Sequence, residues 1–343
     1  MKILKLNLKI FFLFLFINTN LSSEIIFDAK NMEVKNQGNL IIGFNSETKI
    51  PEKQINIKSD KAIYDKITNE VIFLNNVIFE DYFNEVIIYG EKIIYKTIDE
   101  IVFSEVETKT KISDKYNITS NSIYFDRLKN NLFSNEYTII KDNLNNKYEF
   151  EEKFKYDLEN EIIKSNLSTI TDSNNNKFIF EDLIINLKNN EIIGKELKID
   201  FINNYFGNEN NDPKMRGRSA ILNKNRTEVH KAVFSTCNIN NKKCRGWELT
   251  SNEFIHNKDD KIFEYKSSWL KILDKKLFYL PYFNHPDPSV KRKSGFLTPS
   301  YGSSKKLGTS INIPYFKVIS HDKDLTFNPR IYADKSYLLQ NEY

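Results

Sequence analysis

The sequence predicts an all-β chain in which a stack of antiparallel strands precedes the first strands of a membrane-type β-barrel. Three observations lead there. Short runs rich in Ile, Val, Phe and Tyr recur at a nearly fixed period between polar turns. A late segment alternates apolar and polar residues with the dyad period of a barrel strand. Between the two the texture changes, since six of the eight prolines (Pro281, Pro286, Pro288, Pro299, Pro314 and Pro329) lie after residue 280.

The chain opens with "MKILKLNLKIFFLFLFINTNLSSE", in which Lys2, Lys5 and Lys9 precede the apolar run 10–17 and a polar stretch ending in Ser22 and Ser23. This is the layout of a secretory signal peptide over residues 1–23. The run is too short to cross a bilayer as a permanent helix, although a non-cleaved anchor shares the layout. No cysteine follows it, so lipoprotein processing is not suggested. The mature chain is expected beyond an inner membrane.

The body repeats itself. "DKAIYDKITNEVIF" from residue 60, "GEKIIYKTIDEIVF" from 90, "SNSIYFDRLKNNLF" from 120, "EKFKYDLENEII" from 152, "EDLIINLKNNEII" from 181 and "SAILNKNRTEVH" from 219 share one pattern. Each is an apolar strand, a polar turn and a second apolar strand. With Glu70, Glu100, Asn130, Glu161, Glu191 and Glu228 as equivalent points, the spacings are 30, 30, 31, 30 and 37. The last is stretched by a loop over 204–217. Alternation is visible but loose: Val71, Phe73, Val77 and Phe79 share a parity, and Leu197 and Ile199 alternate with Glu196 and Lys198. Elsewhere both faces are apolar. A stacked or V-shaped antiparallel sheet accommodates this better than a sandwich with a wet outer face. Exposed edge strands at its ends would invite another β-protein to dock. The repeat alone does not separate a structural solenoid or adhesin from an elongated fold that holds lipid in an apolar furrow.

Composition narrows the function classes. Fifty basic and 46 acidic residues leave a net charge of +4, with no arginine-rich patch, which argues against nucleic acid as a partner. There is no Gly-rich phosphate loop, no G-x-S-x-G elbow and no H-E-x-x-H, and only four histidines, so neither an enzyme nor a cofactor is expected. The two cysteines, Cys237 and Cys244, are too few for a structural zinc site and too far apart for a C-x-x-C redox pair. In an oxidising compartment they are expected to close a small loop as a disulfide, with pairing to cysteines of another chain as the alternative.

From Trp247 the strands continue through "KKLFYLPYFNHPDPS", where Pro281 interrupts an aromatic run. "LGTSINIPYFKVI" and "LTFNPRIYADKSYLL" then read as successive strands of a hairpin. Leu325, Phe327, Ile331 and Ala333 alternate with Thr326, Asn328, Arg330 and Tyr332. Lys291, Arg292 and Lys293 suit either lipid phosphates or a solvated turn.

Residues 216–343 resemble the outer-membrane lipopolysaccharide-assembly family, LptD, also called the organic solvent tolerance protein family. The resemblance is carried by the cysteine segment with Trp247 after it, "LFYLPYF" at 277–283, "RKSGFLTPSYGSS" at 292–304, "INIPYF" at 311–316 and "LTFNPRIYADKSYLL" at 325–339. It implies a periplasmic β-taco or jelly-roll of stacked antiparallel strands followed by the first strands of an outer-membrane β-barrel, incomplete in this chain. The implied divisions are a signal peptide at 1–23, a periplasmic lipid-binding (OstA-like) β-repeat domain at 24–236, a cysteine-bearing connection at 237–300 and truncated barrel strands at 301–343. The implied role is to receive lipopolysaccharide from a periplasmic bridge by β-strand augmentation and insert it into the outer leaflet. The barrel would be plugged by a lipoprotein partner. Val71, Phe73, Phe103, Phe178, Phe180, Leu197 and Ile199 are the candidates for a slot around lipid A acyl chains. Pro314 and Pro329 are the candidates for a weakened barrel seam. The family's cysteines link the periplasmic domain to the barrel, and no barrel cysteine is present here to receive that link. A soluble periplasmic bridge is the alternative within the same transport route.

Overall fold

The computed structural model describes residues 24–202, 213–236 and 246–343, apart from 288, 291, 298 and 335. The expected signal peptide, Cys237, Cys244, Lys291 and most of the expected loop at 204–217 lie outside the described residues. The described residues are nearly all strand and turn, and two 3-10 turns are their only helical elements.

Twenty-one strands form one antiparallel sheet. Five long passes open it: β1 (Ile26–Lys35), β2 (Leu40–Ile50), β3 (Ile55–Asp65), β4 (Glu70–Asp81) and β5 (Val86–Lys96). The next four passes are each broken near the middle. They are β6 (Ile101–Ser104) with β7 (Thr108–Ile112), and β8 (Tyr116–Ser120) with β9 (Ile123–Asp126). Then come β10 (Asn131–Ser134) with β11 (Thr138–Asp142), and β12 (Lys147–Phe150) with β13 (Phe154–Asp157). Long passes resume with β14 (Ile162–Thr171), β15 (Lys177–Asn186), β16 (Glu191–Asp200), β17 (Lys214–Leu222) and β18 (Arg226–Ser235). The last three are β19 (Trp247–Asn257), β20 (Ile262–Ile272) and β21 (Lys275–Pro286). Because four passes are split in two, the 21 strands make 21 − 4 = 17 passes. Each pass pairs with the one before it and the one after it. The connection expected over 237–300 therefore contributes three strands to this sheet, which ends at Pro286.

The period of about 30 residues is a pair of passes, and its turns explain the recurrent Asn and Asp. Gln54, Asn69, Glu85, Glu100, Asn130, Asn145, Glu161, Asn175 and Asn190 all have positive φ, a conformation that Asn tolerates best after Gly. The carboxylates of Asp65, Asp126, Asp142, Asp157 and Asp172 each accept a backbone N–H two or three residues further on. A side chain at that place both reverses the chain and satisfies a donor the ladder leaves free.

A second column of positive φ falls inside the long passes, at Asn45, Asn75, Asn76, Leu167, Glu196, Lys231 and Ser267. An extra residue there shifts the alternation, so that both arms of a pass face the same interior. In β14, Ile163 and Ser165 are buried before Leu167, and Ser168 and Ile170 after it. The buried apolar residues form one continuous core from Ile50 to Tyr265.

Residues 295–342 form a separate six-stranded sheet. Its strands are β22 (Gly295–Phe296), β23 (Ser300–Ser304), β24 (Gly308–Asn312), β25 (Tyr315–Val318), β26 (Asp324–Tyr332) and β27 (Tyr337–Glu342). The expected hairpin is β24 and β25 against β26. The segment 325–339 is not one strand, because the chain turns after Tyr332 and returns as β27 against β26.

Candidate functional site

The interior of the large sheet is an apolar trough. Val71, Phe73 and Phe180 are fully buried in it, Leu197 and Ile199 nearly so, and the half-buried Phe178 packs against them. Phe103 is elsewhere. Its neighbour Val102 points inward, and Phe103 lies on the outer face, stacked on Tyr124 at 5.5 Å, which stacks in turn on Phe133 at 5.2 Å. These three are cross-strand partners, and their rings cover one another along the outer surface. The interior set is thus corrected to Val102 in place of Phe103.

Where many of the passes bend, the trough floor is polar. Ser46, Ser59, Ser104, Ser120, Ser134, Thr138, Ser165, Ser168, Ser251 and Ser268 are all buried along this bend. Neighbours along the stack bond to each other: Ser46 to Ser59 at 3.1 Å, Ser120 to Ser134 at 3.0 Å and Ser268 to Ser251 at 2.9 Å. Others donate to carbonyls freed by the bend, as Ser251 does to Lys266 O at 2.9 Å. Small side chains let the two arms approach, and their hydroxyls satisfy the interrupted ladder. The sequence carries the signal as a Ser or Thr in the middle of successive passes, a periodicity that an apolar count overlooks.

Opposite the bend, the two rows of turns meet as the lips of a mouth. Lys53 lies in the turn between β2 and β3, and Arg127 in the turn between β9 and β10. On a flat sheet they would stand at opposite strand ends, about five spacings or roughly 24 Å apart across the strands. Instead Arg127 Nη2 donates to Lys53 O at 3.0 Å, so the sheet is folded over on itself. Asp81, beside Lys53 on the first lip, accepts from Arg127 Nε at 2.6 Å. Glu100, on the second lip, pairs with both Lys53 and Arg127 and accepts from the Tyr95 hydroxyl at 3.0 Å. Lys53 Nζ also donates to Thr97 O at 3.2 Å. The Arg127, Asp81 and Glu100 side chains are all buried, with Lys53 at 22% exposure facing the outside. Burial pushes the Tyr95 hydroxyl up to about 12. Burial first, and Arg127 second, holds the Lys53 ammonium below its usual range. Further along, the lips meet through Tyr116 and Tyr156, edge to face at 6.4 Å, and Leu158 and Leu187 of the second lip pack against the core.

The last passes carry an aromatic cluster. Tyr265 stacks on Phe283 at 4.4 Å, and Phe263 lies between His256 and His285. His256 Nε2 is 2.7 Å from Asp287 Oδ2, and His285 Nε2 is 3.1 Å from the Tyr265 hydroxyl. β21 has no partner beyond β20 among the described residues and leaves Phe278 and Tyr282 exposed. At the other end, among the described residues, β1 pairs only with β2 and exposes Met32 and Val34.

In the small sheet the polarity inverts. Ser310 and Asn312 are buried, while Ile311, Phe327 and Ile331 are 43%, 43% and 55% exposed. Ile311 and Ile331 are cross-strand partners, so their side chains share the outer face. Pro314 and Pro329 fall in one gap of the ladder. Pairing of β24 with β26 stops at Asn312 and Arg330 and resumes in β25 at Tyr315 and Phe327. Within the gap Ile313 N reaches Pro329 O at 3.3 Å. Arg292 is held by Asp324 and by His321 O, and Lys293 Nζ reaches Asp260 O at 3.5 Å.

No family model matches the chain. Curated proteins do. The LPS-assembly protein LptD of Nitrosococcus oceani is 32% identical over 117 residues, which are 34% of this chain and 15% of that protein. The LptD of Pseudoalteromonas translucida is 36% identical over 97 residues, 28% of this chain and 13% of that protein. The LptD of Psychrobacter cryohalolentis is 31% identical over 121 residues, 35% and 12% respectively. The matched stretches thus cover less than a fifth of these relatives' lengths. Among solved structures, LptH of Pseudomonas aeruginosa, the LptA-homologous periplasmic component of a lipopolysaccharide transport device, aligns with a TM-score of 0.28 and 13% identity. The alignment covers 30% of this chain and 76% of that one.

Proposed function

We propose that this chain, a relative of the LptD proteins, carries lipopolysaccharide along its trough and delivers it to an outer membrane that its last strands enter. The inversion of polarity between the two sheets is the observation that supports this best. The large sheet buries Val71, Phe73, Phe180, Leu197 and Ile199 and, apart from the ionic cluster at the mouth, keeps most of its charges outside, as suits an aqueous compartment. The small sheet hides Ser310 and Asn312 and turns Ile311, Phe327 and Ile331 outward, as suits strands facing lipid.

No bond is made or broken in this reading, and the chain is not an enzyme. Acyl chains in the trough gain roughly 0.8 kcal/mol for each methylene taken from water. The unpaired edge of β1 receives the bridge protein by strand addition, and its Met32 and Val34 give that edge an apolar character. The paired prolines at 314 and 329 weaken the seam of the barrel to which these strands contribute, and a plug lipoprotein fills that barrel. The signal peptide, the periplasmic placement of the trough and the Cys237–Cys244 bond belong to the same reading.

The test is photocrosslinking from single positions of the full chain to lipopolysaccharide in vesicles of lipopolysaccharide and phospholipid. Crosslinks are expected from positions 73, 180 and 197 and not from 133, which faces outward. Equal labelling inside and outside, or none, would overturn the trough as the lipid path.

A further inference from the structure

The interior side chains are packed against one another, so acyl chains enter the trough only if its two arms part somewhere. The mouth is not sealed uniformly. Around Tyr116 and Tyr156, and at Leu158 and Leu187, the seal is apolar. Near the first passes it is ionic: Lys53 and Asp81 come from one lip, Glu100 and Arg127 from the other. We propose that this cluster is a latch, and that the trough opens sideways there first, hinged on the hydroxyl column at the bend, to admit the chains of an amphiphile.

Four features support a latch over a plain structural salt bridge. The contacts of Lys53 with Glu100, Tyr95 and Thr97 O, and those of Arg127 with Asp81 and Lys53 O, all cross the mouth, so parting the lips breaks them together. Buried ion pairs contribute little net stability, because the desolvation of the charges offsets their attraction. Once the lips part, all four charges regain water, whereas parting the apolar seam exposes hydrocarbon with no such return. A cleft of about 330 Å³, lined by Lys53, Phe83, Asn84, Glu100, Arg127 and Leu128, already brings solvent to the cluster from outside. The hinge side is built to allow the motion, since Ser46, Ser59, Ser120 and Ser134 are small and bond to one another across passes.

This inference rests on the trough being the lipid path, and the experiment separates the two. The full chain is mixed with N-phenyl-1-naphthylamine, an uncharged fluorophore that brightens in apolar surroundings, and its rate of uptake is followed. Glu100→Gln is expected to raise the rate about tenfold. Asp182→Asn, which removes the exposed Lys195 pair on the outer face, is expected to leave it unchanged. Hydrogen exchange on the unaltered chain needs no variant. Amides at 82–85, 97–100 and 127–130 are expected to exchange together, and faster than those at 158–161 and 187–190. Uptake at the same rate in Glu100→Gln, or exchange at all five turns only through global unfolding, overturns the latch and leaves the lipid path standing. An unaltered chain that takes up neither the fluorophore nor lipopolysaccharide overturns both.

Discussion

The Phe180 ring packs against Gly194 across the β15–β16 pair, so close that a Cβ at position 194 would stand 2.2 Å from its Cδ1. The ring is fully buried and cannot swing into solvent. Gly194→Ala is therefore expected to push the Phe180 ring into the opposite arm and to cost about 1–3 kcal/mol, as overpacking does. A denaturant midpoint that stays at the wild-type value would show that the arms are looser here than their packing implies. Phe180→Leu in the same chain should restore part of the loss by vacating the space.

Acid should loosen the C-terminal end of the trough before the rest. Burial holds both His256 and His285 below the ordinary histidine range. For Asp287, burial pushes the carboxyl up, but bonds from Ser289 and the nearby His256 outweigh it and bring it below its usual value. All three groups bind protons more readily in the unfolded chain, so their stabilisation is complete above an ordinary histidine pKa of about 6.5 and declines as pH falls. The hydrogen-exchange protection factors of β19–β21, taken relative to the unstructured chain at each pH, are expected to fall between pH 7 and pH 5, with a further fall below pH 4 as Asp287 protonates. His256→Gln with His285→Gln should flatten the first step. Protection factors that stay level across that step in the unaltered chain would contradict the assignment.

Ile331 and Ile311 face each other on the outer side of the small sheet. If these strands meet lipid, Ile331→Arg should disfavour membrane insertion by about 2–4 kcal/mol at mid-bilayer depth. Asn312→Ala, on the buried polar side, should leave insertion intact. The measure is protease protection of 295–343 when the full chain is refolded into phospholipid vesicles. Protection that survives Ile331→Arg unchanged would place that face against protein or water.

The strands and their pairing were legible in the sequence because alternation and turn chemistry are local. Asn69, Glu100, Asn130 and Glu161 adopt positive φ, at or beside the positions that define the 30-residue spacing. The facing of Phe103 was not legible, because parity counted along a run fails where the run is broken after Ser104, and because an outer ladder of rings is as apolar as an inner wall. The ionic cluster at the mouth was hidden for a different reason. Its members sit in or at the edge of four separate turns, each an ordinary polar turn on its own, and only the folding-over of the sheet brings Lys53 to Arg127. The twin prolines could be named from the sequence, but their sharing of one gap depends on a register that the sequence does not spell out.

The large sheet is added to in one direction only, one pass at a time, and no pass needs a contact that its neighbours a few places along cannot supply. Such an arrangement behaves as a ruler. Seventeen passes leave sixteen intervals of about 4.8 Å, a reach of roughly 75–80 Å along the stack. Duplicating one 30-residue hairpin would lengthen it by about 10 Å while every bend, turn and interior residue kept the same kind of neighbour. The distance spanned between the two unpaired edges is thus written in the number of repeats, and selection can alter it without solving a new packing problem.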